Sequence, residues 1–178
     1  MASPQAGYKY LRTYQLATVI YDCAVIFCDR YIDKRSRTHD QMVQAGRSGK
    51  QNIAEGYEEK SLQGYIKLLG IARASHVELL EDFLDYARQH RIPVWPKDDP
   101  RIREFRDLRV VGDIDHPDHP DLPDLPENPE VSVNYLLTLL HQEIYLEEKQ
   151  ISSLEQKFIR EGGFTENLFK KRLEYRKK

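Results

Sequence analysis

The chain is poor in cysteine and shows no strong excess of charge of either sign. Two cysteines occur among its 178 residues, and the net charge is −2. Cys23 and Cys28 lie five apart inside an apolar run, a spacing that fits neither a disulfide framework nor a zinc-binding pair. They read as small buried hydrophobes. The near-neutral balance argues against a generic nucleic-acid-binding domain, which would be strongly basic. The apolar run Leu16 to Cys28 is broken by Asp22 and falls short of the ~20 residues a membrane helix needs. Met1 to Gly7 has neither the basic start nor the apolar core of a signal peptide, so a cytoplasmic setting without membrane contact is expected. Also missing are a phosphate-cradling glycine loop, a Gly-x-Ser-x-Gly elbow and a His-Glu-x-x-His pair. No enzyme activity, cofactor or metal is expected.

What the chain does have is helical periodicity. Gln41 to Tyr57 places Met42, Gly46, Gly49, Ile53 and Gly56 on one seam, spaced alternately four and three residues apart. Three glycines there cost roughly 1 kcal/mol each in helix propensity, which predicts very close approach of a neighbouring backbone. Similar seams run through Tyr65, Leu69, Ala72, His76, Leu79, Phe83 and Tyr86, and through Val133, Leu137, Leu140, Ile144, Glu147, Ile151, Leu154 and Phe158. The last has one polar interruption, Glu147. Helices are predicted over 8–32, 40–57, 62–90 and 131–160, with a short basic helix over 165–178. Thr38 or Asp40, Ser61 and Thr165 are the expected N-caps. Seams of this period suit near-antiparallel packing at about 20°, an all-α, up-down four-helix bundle in a single domain. The first helix is apolar on nearly all sides (Leu16, Val19, Ile20, Tyr21, Cys23, Val25, Ile26, Phe27), and a neighbouring subunit is expected to cover the excess.

Between the third and fourth helices lies a proline-rich insertion, 97–130. Residues 98–130 carry 4 basic and 11 acidic side chains, whereas 1–97 carry 14 and 11, and 131–178 carry 9 and 7. The acid is therefore concentrated in one place. Arg101 to Leu108 suits a short amphipathic helix. From Asp113 to Glu130, proline about every third residue favours an extended arm outside the core, either a crossover or a strip for a protein partner.

The run Gln41 to Gly56 (Gln-Met-Val-Gln-Ala-Gly-Arg-Ser-Gly-Lys-Gln-Asn-Ile-Ala-Glu-Gly) resembles the signature of a four-helix-bundle family. That family includes the intervening-sequence proteins of large-subunit ribosomal RNA genes and the accessory variability-determinant proteins of diversity-generating retroelements. Gly70 to Leu80 is similar to the family's third-helix pattern. Tyr14 to Asp22 and Glu161 to Glu166 resemble its suffix-domain subgroup. The resemblance covers most of the chain except the insertion. It implies an up-down bundle assembled as a cyclic homopentamer, contact with RNA or DNA in some members, and a reverse-transcriptase partner in the retroelement members. It implies no catalytic residues.

Arg47, Ser48, Asn52, Glu55, Arg73, Ser75 and Glu78 read as a cross-helix polar layer. In it an arginine satisfies a carboxylate and Asn52 bonds the third helix, fixing register. His76 reads as a hydrogen-bonded core histidine. Asp115, His116, Asp118 and His119 offer metal-compatible donors but lack a framing helix, so a preformed site is not expected. In an up-down bundle Arg30, Lys34, Arg35, Arg37, Arg88 and Arg91 gather at one pole. Lys157, Arg160, Lys170, Lys171, Arg172, Arg176, Lys177 and Lys178 gather at the other. These poles are the candidate nucleic-acid contacts, multiplied by cyclic repetition. The acidic insertion springs from the first pole and is placed to compete with phosphate there. The expected function is a non-catalytic oligomeric accessory protein contacting nucleic acid; the alternative is a protein-binding scaffold.

Overall fold

A computed structural model describes residues 7–107 and 125–177, though not the side chain of Asp107. Among them there are helices and no strands. After a single 3-10 turn, Gly7–Tyr10, come α1 (Arg12–Tyr31), α2 (Arg37–Glu58), α3 (Leu62–Gln89), α4 (Pro100–Asp107), α5 (Pro129–Glu161) and α6 (Phe164–Arg176). No helix among the described residues is long and apolar enough to cross a membrane. The molecule is a helical bundle in which α1 packs on α2 and α5, and α3 packs on α2 and α5.

Local chemistry sets the helix ends. Ser36 accepts from the Thr38 backbone N–H at 3.1 Å, so Ser36, rather than Thr38 or Asp40, caps α2. Asp40 falls in the first turn, where its charge faces the positive end of the helix dipole. Ser61 caps α3 as expected, accepting from Gly64 N–H at 3.0 Å. That helix closes in a Schellman arrangement: Ile92 N–H donates to Ala87 carbonyl at 2.8 Å and Arg91 N–H to Arg88 carbonyl. Arg91 holds the left-handed conformation (φ 55°) that glycine usually takes there. Asn128 accepts from Glu130 and Val131 N–H ahead of Pro129, so α5 starts two residues before Val131. Gly162 (φ 76°) ends it. Gly163, rather than Thr165, precedes the first turn of α6, and the Glu166 carboxylate reaches back to its N–H at 3.0 Å.

The α2 seam is buried along its whole length. The reason its glycines are tolerated differs from expectation at two of three positions. A Cβ on Gly46 would meet backbone, the Tyr21 Cα at 3.4 Å. On Gly49 it would lie 2.2 Å from His76 Nε2, and on Gly56 2.9 Å from the Tyr65 ring. Two glycines thus make room for rings rather than for a helix axis.

The core divides into two apolar clusters. The larger gathers Leu16, Val19, Ile20, Met42, Leu79, Phe83, Leu136 and Leu140 among others, around Phe27, whose ring meets those of Phe83 and Tyr86 at 5.0 Å and Tyr31 at 4.9 Å. The smaller holds Ala17, Ile53, Leu69 and Ala72, with Tyr65, Ile151 and Leu154 beside them. Most of α1's wide apolar surface is absorbed here, inside its own chain. Of the eight residues expected to encircle it, only Ile26 is exposed, and Tyr21 and Val25 are half-buried.

The insertion is not wholly outside the core. Its two flanks cover the first half of α5, where Ser132 through Leu140 are all buried. Leu125 is 2% exposed and belongs to the larger cluster; Trp95 and Ile102 are buried too. Asn134 fastens the 93–95 turn, accepting from Trp95 N–H at 2.7 Å and donating to Pro93 carbonyl at 3.0 Å. The Arg101 guanidinium lies over the Trp95 ring at 3.5 Å, and Phe105 stacks with that ring at 6.1 Å. At Leu125 burial outweighed the proline signal, because burying a leucine is worth about 1.5–3 kcal/mol. Residues 108–124, including Asp115, His116, Asp118 and His119, lie outside the described residues.

Candidate functional sites: a buried glutamate–histidine layer and a basic helix

Between the two apolar clusters lies a layer of ionisable groups. On α3, His76 sits between Ala72 of one cluster and Leu79 of the other. On α5, Glu143 and Glu147 sit between Leu140 and Ile151, one turn apart and on one face. All three side chains are fully buried. His76 Nδ1 meets Glu147 Oε1 at 2.9 Å. One donor atom from each residue lies within 4.8 Å of the others. His76 Nε2 faces Gly49 on α2, and only a residue without a side chain leaves the ring that space.

This layer is short of partners. Both carboxylate oxygens of Glu143, the second oxygen of Glu147 and His76 Nε2 are buried with no hydrogen-bond partner. Burial, then the charge of Glu147, pushes the Glu143 carboxyl well above the usual range; Arg12 acts weakly in the other direction. Elsewhere burial, with Asp29 and Asp82, pushes the Cys28 thiol up to about 12, so it stays a neutral hydrophobe at ordinary pH.

The cross-helix layer expected at Arg47, Ser48, Asn52, Glu55, Arg73, Ser75 and Glu78 is realised only in part. Ser75 donates to Ser48 across α2 and α3 at 3.1 Å. Asn52, however, donates to the Ser48 carbonyl at 2.8 Å within its own helix, not to α3. Arg47, Glu55 and Glu78 are exposed. Arg73 approaches Glu148 of α5 at 4.0 Å, not a carboxylate of α2. Ser48, Ser75 and Glu78 line an open cleft of roughly 410 Å³ together with Arg37 and Asp40. Ser48 and Ser75 are the sequence neighbours of Gly49 and His76. The polar level was therefore legible, but its enclosed side was not. The missed signal was the coincidence of two polar interruptions, His76 and Glu147, on two apolar seams.

The basic residues fall into two groups with different environments. At the first pole Arg30 donates to Leu125 and Pro126 carbonyls, Lys34 pairs with Asp29 at 3.1 Å, and Arg88 pairs with Asp85 at 2.8 Å. Those three serve the chain's own surface; Arg35, Arg37 and Arg91 are exposed. The Leu125–Glu127 end of the insertion lies at this pole through Arg30 and through Tyr31, whose hydroxyl donates to Glu127 carbonyl. In α6, by contrast, Lys170, Lys171, Arg172 and Arg176 are all exposed, and none forms an ion pair among the described residues. The same helix exposes Phe164, Leu168, Phe169, Leu173 and Tyr175 and has no buried residue.

No family model, curated protein or solved structure matches this chain.

Proposed function

We propose that this protein is a non-catalytic, self-associating accessory module, an up-down four-helix bundle that contacts nucleic acid through α6. The observation that carries this reading is the state of α6: thirteen residues, no buried side chain, four exposed cations, and Phe169 and Tyr175 interleaved with them. An isolated helix of that length is marginal in water, so it gains from a surface to lie on. Cations with interleaved aromatic rings match a phosphate backbone and base faces. Contacts such as Gly49 with His76, Gly56 with Tyr65 and Thr13 with Gln150 support antiparallel neighbours in the bundle. The cyclic pentamer, the RNA or DNA ligand and a reverse-transcriptase partner come from the family resemblance.

A filter-binding titration of the full chain against single-stranded RNA and DNA tests this. Replacing Lys170, Lys171, Arg172 and Arg176 by alanine should weaken binding and flatten the salt slope by about 3–4, near one unit per lost phosphate contact. No binding by the native chain at low salt would sink the nucleic-acid role. One observation favours the scaffold reading instead: Phe164 and Leu168 lie on one side of α6, while Phe169 and Leu173 lie nearly opposite. A measured solution mass that falls on Phe169→Ser and Leu173→Ser substitution, without nucleic-acid binding, would select it.

A further inference from the structure

We propose that His76, Glu143 and Glu147 form a binding site for one divalent transition-metal ion, of the zinc or manganese class, held between α3 and α5. Two carboxylates and a neutral imidazole carry a charge of −2, which one such ion balances. Buried polar groups in native proteins almost always have partners, and a cluster of orphaned ones points to a bound ion or water. Here three carboxylate oxygens lack partners within one enclosed layer, and His76 Nδ1 meets the fourth, Glu147 Oε1. Metal sites in helical bundles are built this way, from side chains on facing helices.

The donor set narrows the ligand. One imidazole nitrogen with two carboxylates is softer than the all-oxygen sites that calcium and magnesium take, and harder than a thiolate site. Metal–ligand bonds of about 2.0–2.2 Å put donor atoms roughly 3–3.5 Å apart. The present spread of up to 4.8 Å has to shorten by about 1.3–1.8 Å on binding. All three donors are enclosed, so the ion fastens α3 to α5 rather than meeting a substrate. His76 Nε2 stays against Gly49, and its ring is held in place from that side.

The test uses the full chain, stripped of metal by chelator in denaturant and refolded with Zn²⁺, Mn²⁺ or Co²⁺, so that entry into a closed core is not limiting. One ion per chain is expected by elemental analysis. The melting temperature should rise by about 5–10 °C at hundredfold excess over Kd. Cobalt should give a visible ligand-field spectrum. Glu143→Gln should weaken binding at least about tenfold while the protein stays folded. Replacing His116 and His119 by alanine should change nothing. Refolded native chain with no stoichiometric ion and no melting shift would overturn the site. So would unchanged binding in Glu143→Gln, or loss of binding in the His116/His119 variant. Should Glu143→Gln fail to fold, the same comparison is made with Glu147→Gln, and the native chain's stoichiometry and melting shift decide. None of these readouts depends on nucleic-acid binding.

Discussion

The middle of the bundle and its last helix invert the usual arrangement in opposite senses. The layer of His76, Glu143 and Glu147 puts ionisable groups where water cannot reach them. α6 puts Phe164, Leu168, Phe169, Leu173 and Tyr175 where water can. Both are costly within one isolated chain, the first through desolvation and the second through apolar exposure. The two proposals therefore invoke different outside partners: a small cation inside, and a broad surface outside. They also differ in what they do for the fold. The layer lies between two core clusters and every change there should be felt in stability, whereas α6 touches little and should be nearly silent.

The strongest break in that comparison is Gly49→Ala. Its Cβ would lie 2.2 Å from His76 Nε2, so the ring must leave and its bond to Glu147 must fail. A loss of about 2–4 kcal/mol is expected in urea unfolding, despite alanine's better helix propensity. Glu143→Gln in metal-free protein should act the other way. The Glu143 carboxyl is raised in the folded state, so its contribution favours folding at acid pH and is lost as pH climbs from the usual carboxylate range through the raised value. The variant should match the native chain near pH 4 and exceed it by roughly 1–3 kcal/mol at pH 8, measured by melting across that range. A native chain equally stable at both ends relative to the variant would contradict the unbalanced layer. Gly70→Ala is the internal control for Gly49: nothing lies within 4 Å of its Cβ position, and a gain of about 0.5–1 kcal/mol is expected. Smallest of all, ending the chain after Gly163 should shift stability by less than about 0.5 kcal/mol while changing solution mass or nucleic-acid retention. A large drop in melting temperature on that truncation would show that α6 belongs to the core after all.

Sequence period and end chemistry determined the helices, and they did so for a local reason. Seam positions such as Met42, Ile53, Leu69 and Phe83 are buried because helical geometry alone puts residues three and four apart on one face. Ser61 capped α3 because its hydroxyl needs only a backbone N–H three residues ahead. For α2 the expected caps were Thr38 or Asp40, yet Ser36 holds the position, because the turn before the helix brings its hydroxyl to the Thr38 N–H. Tertiary structure alone decided what faces what. Nothing in the spacing says that Asn52 bonds its own helix, that Leu125 enters the core from among prolines, or that Glu143 and Glu147 lie opposite His76. Those outcomes depend on the relative height and rotation of whole helices. Packing fixes both at once, through contacts between residues some seventy positions apart such as His76 and Glu147.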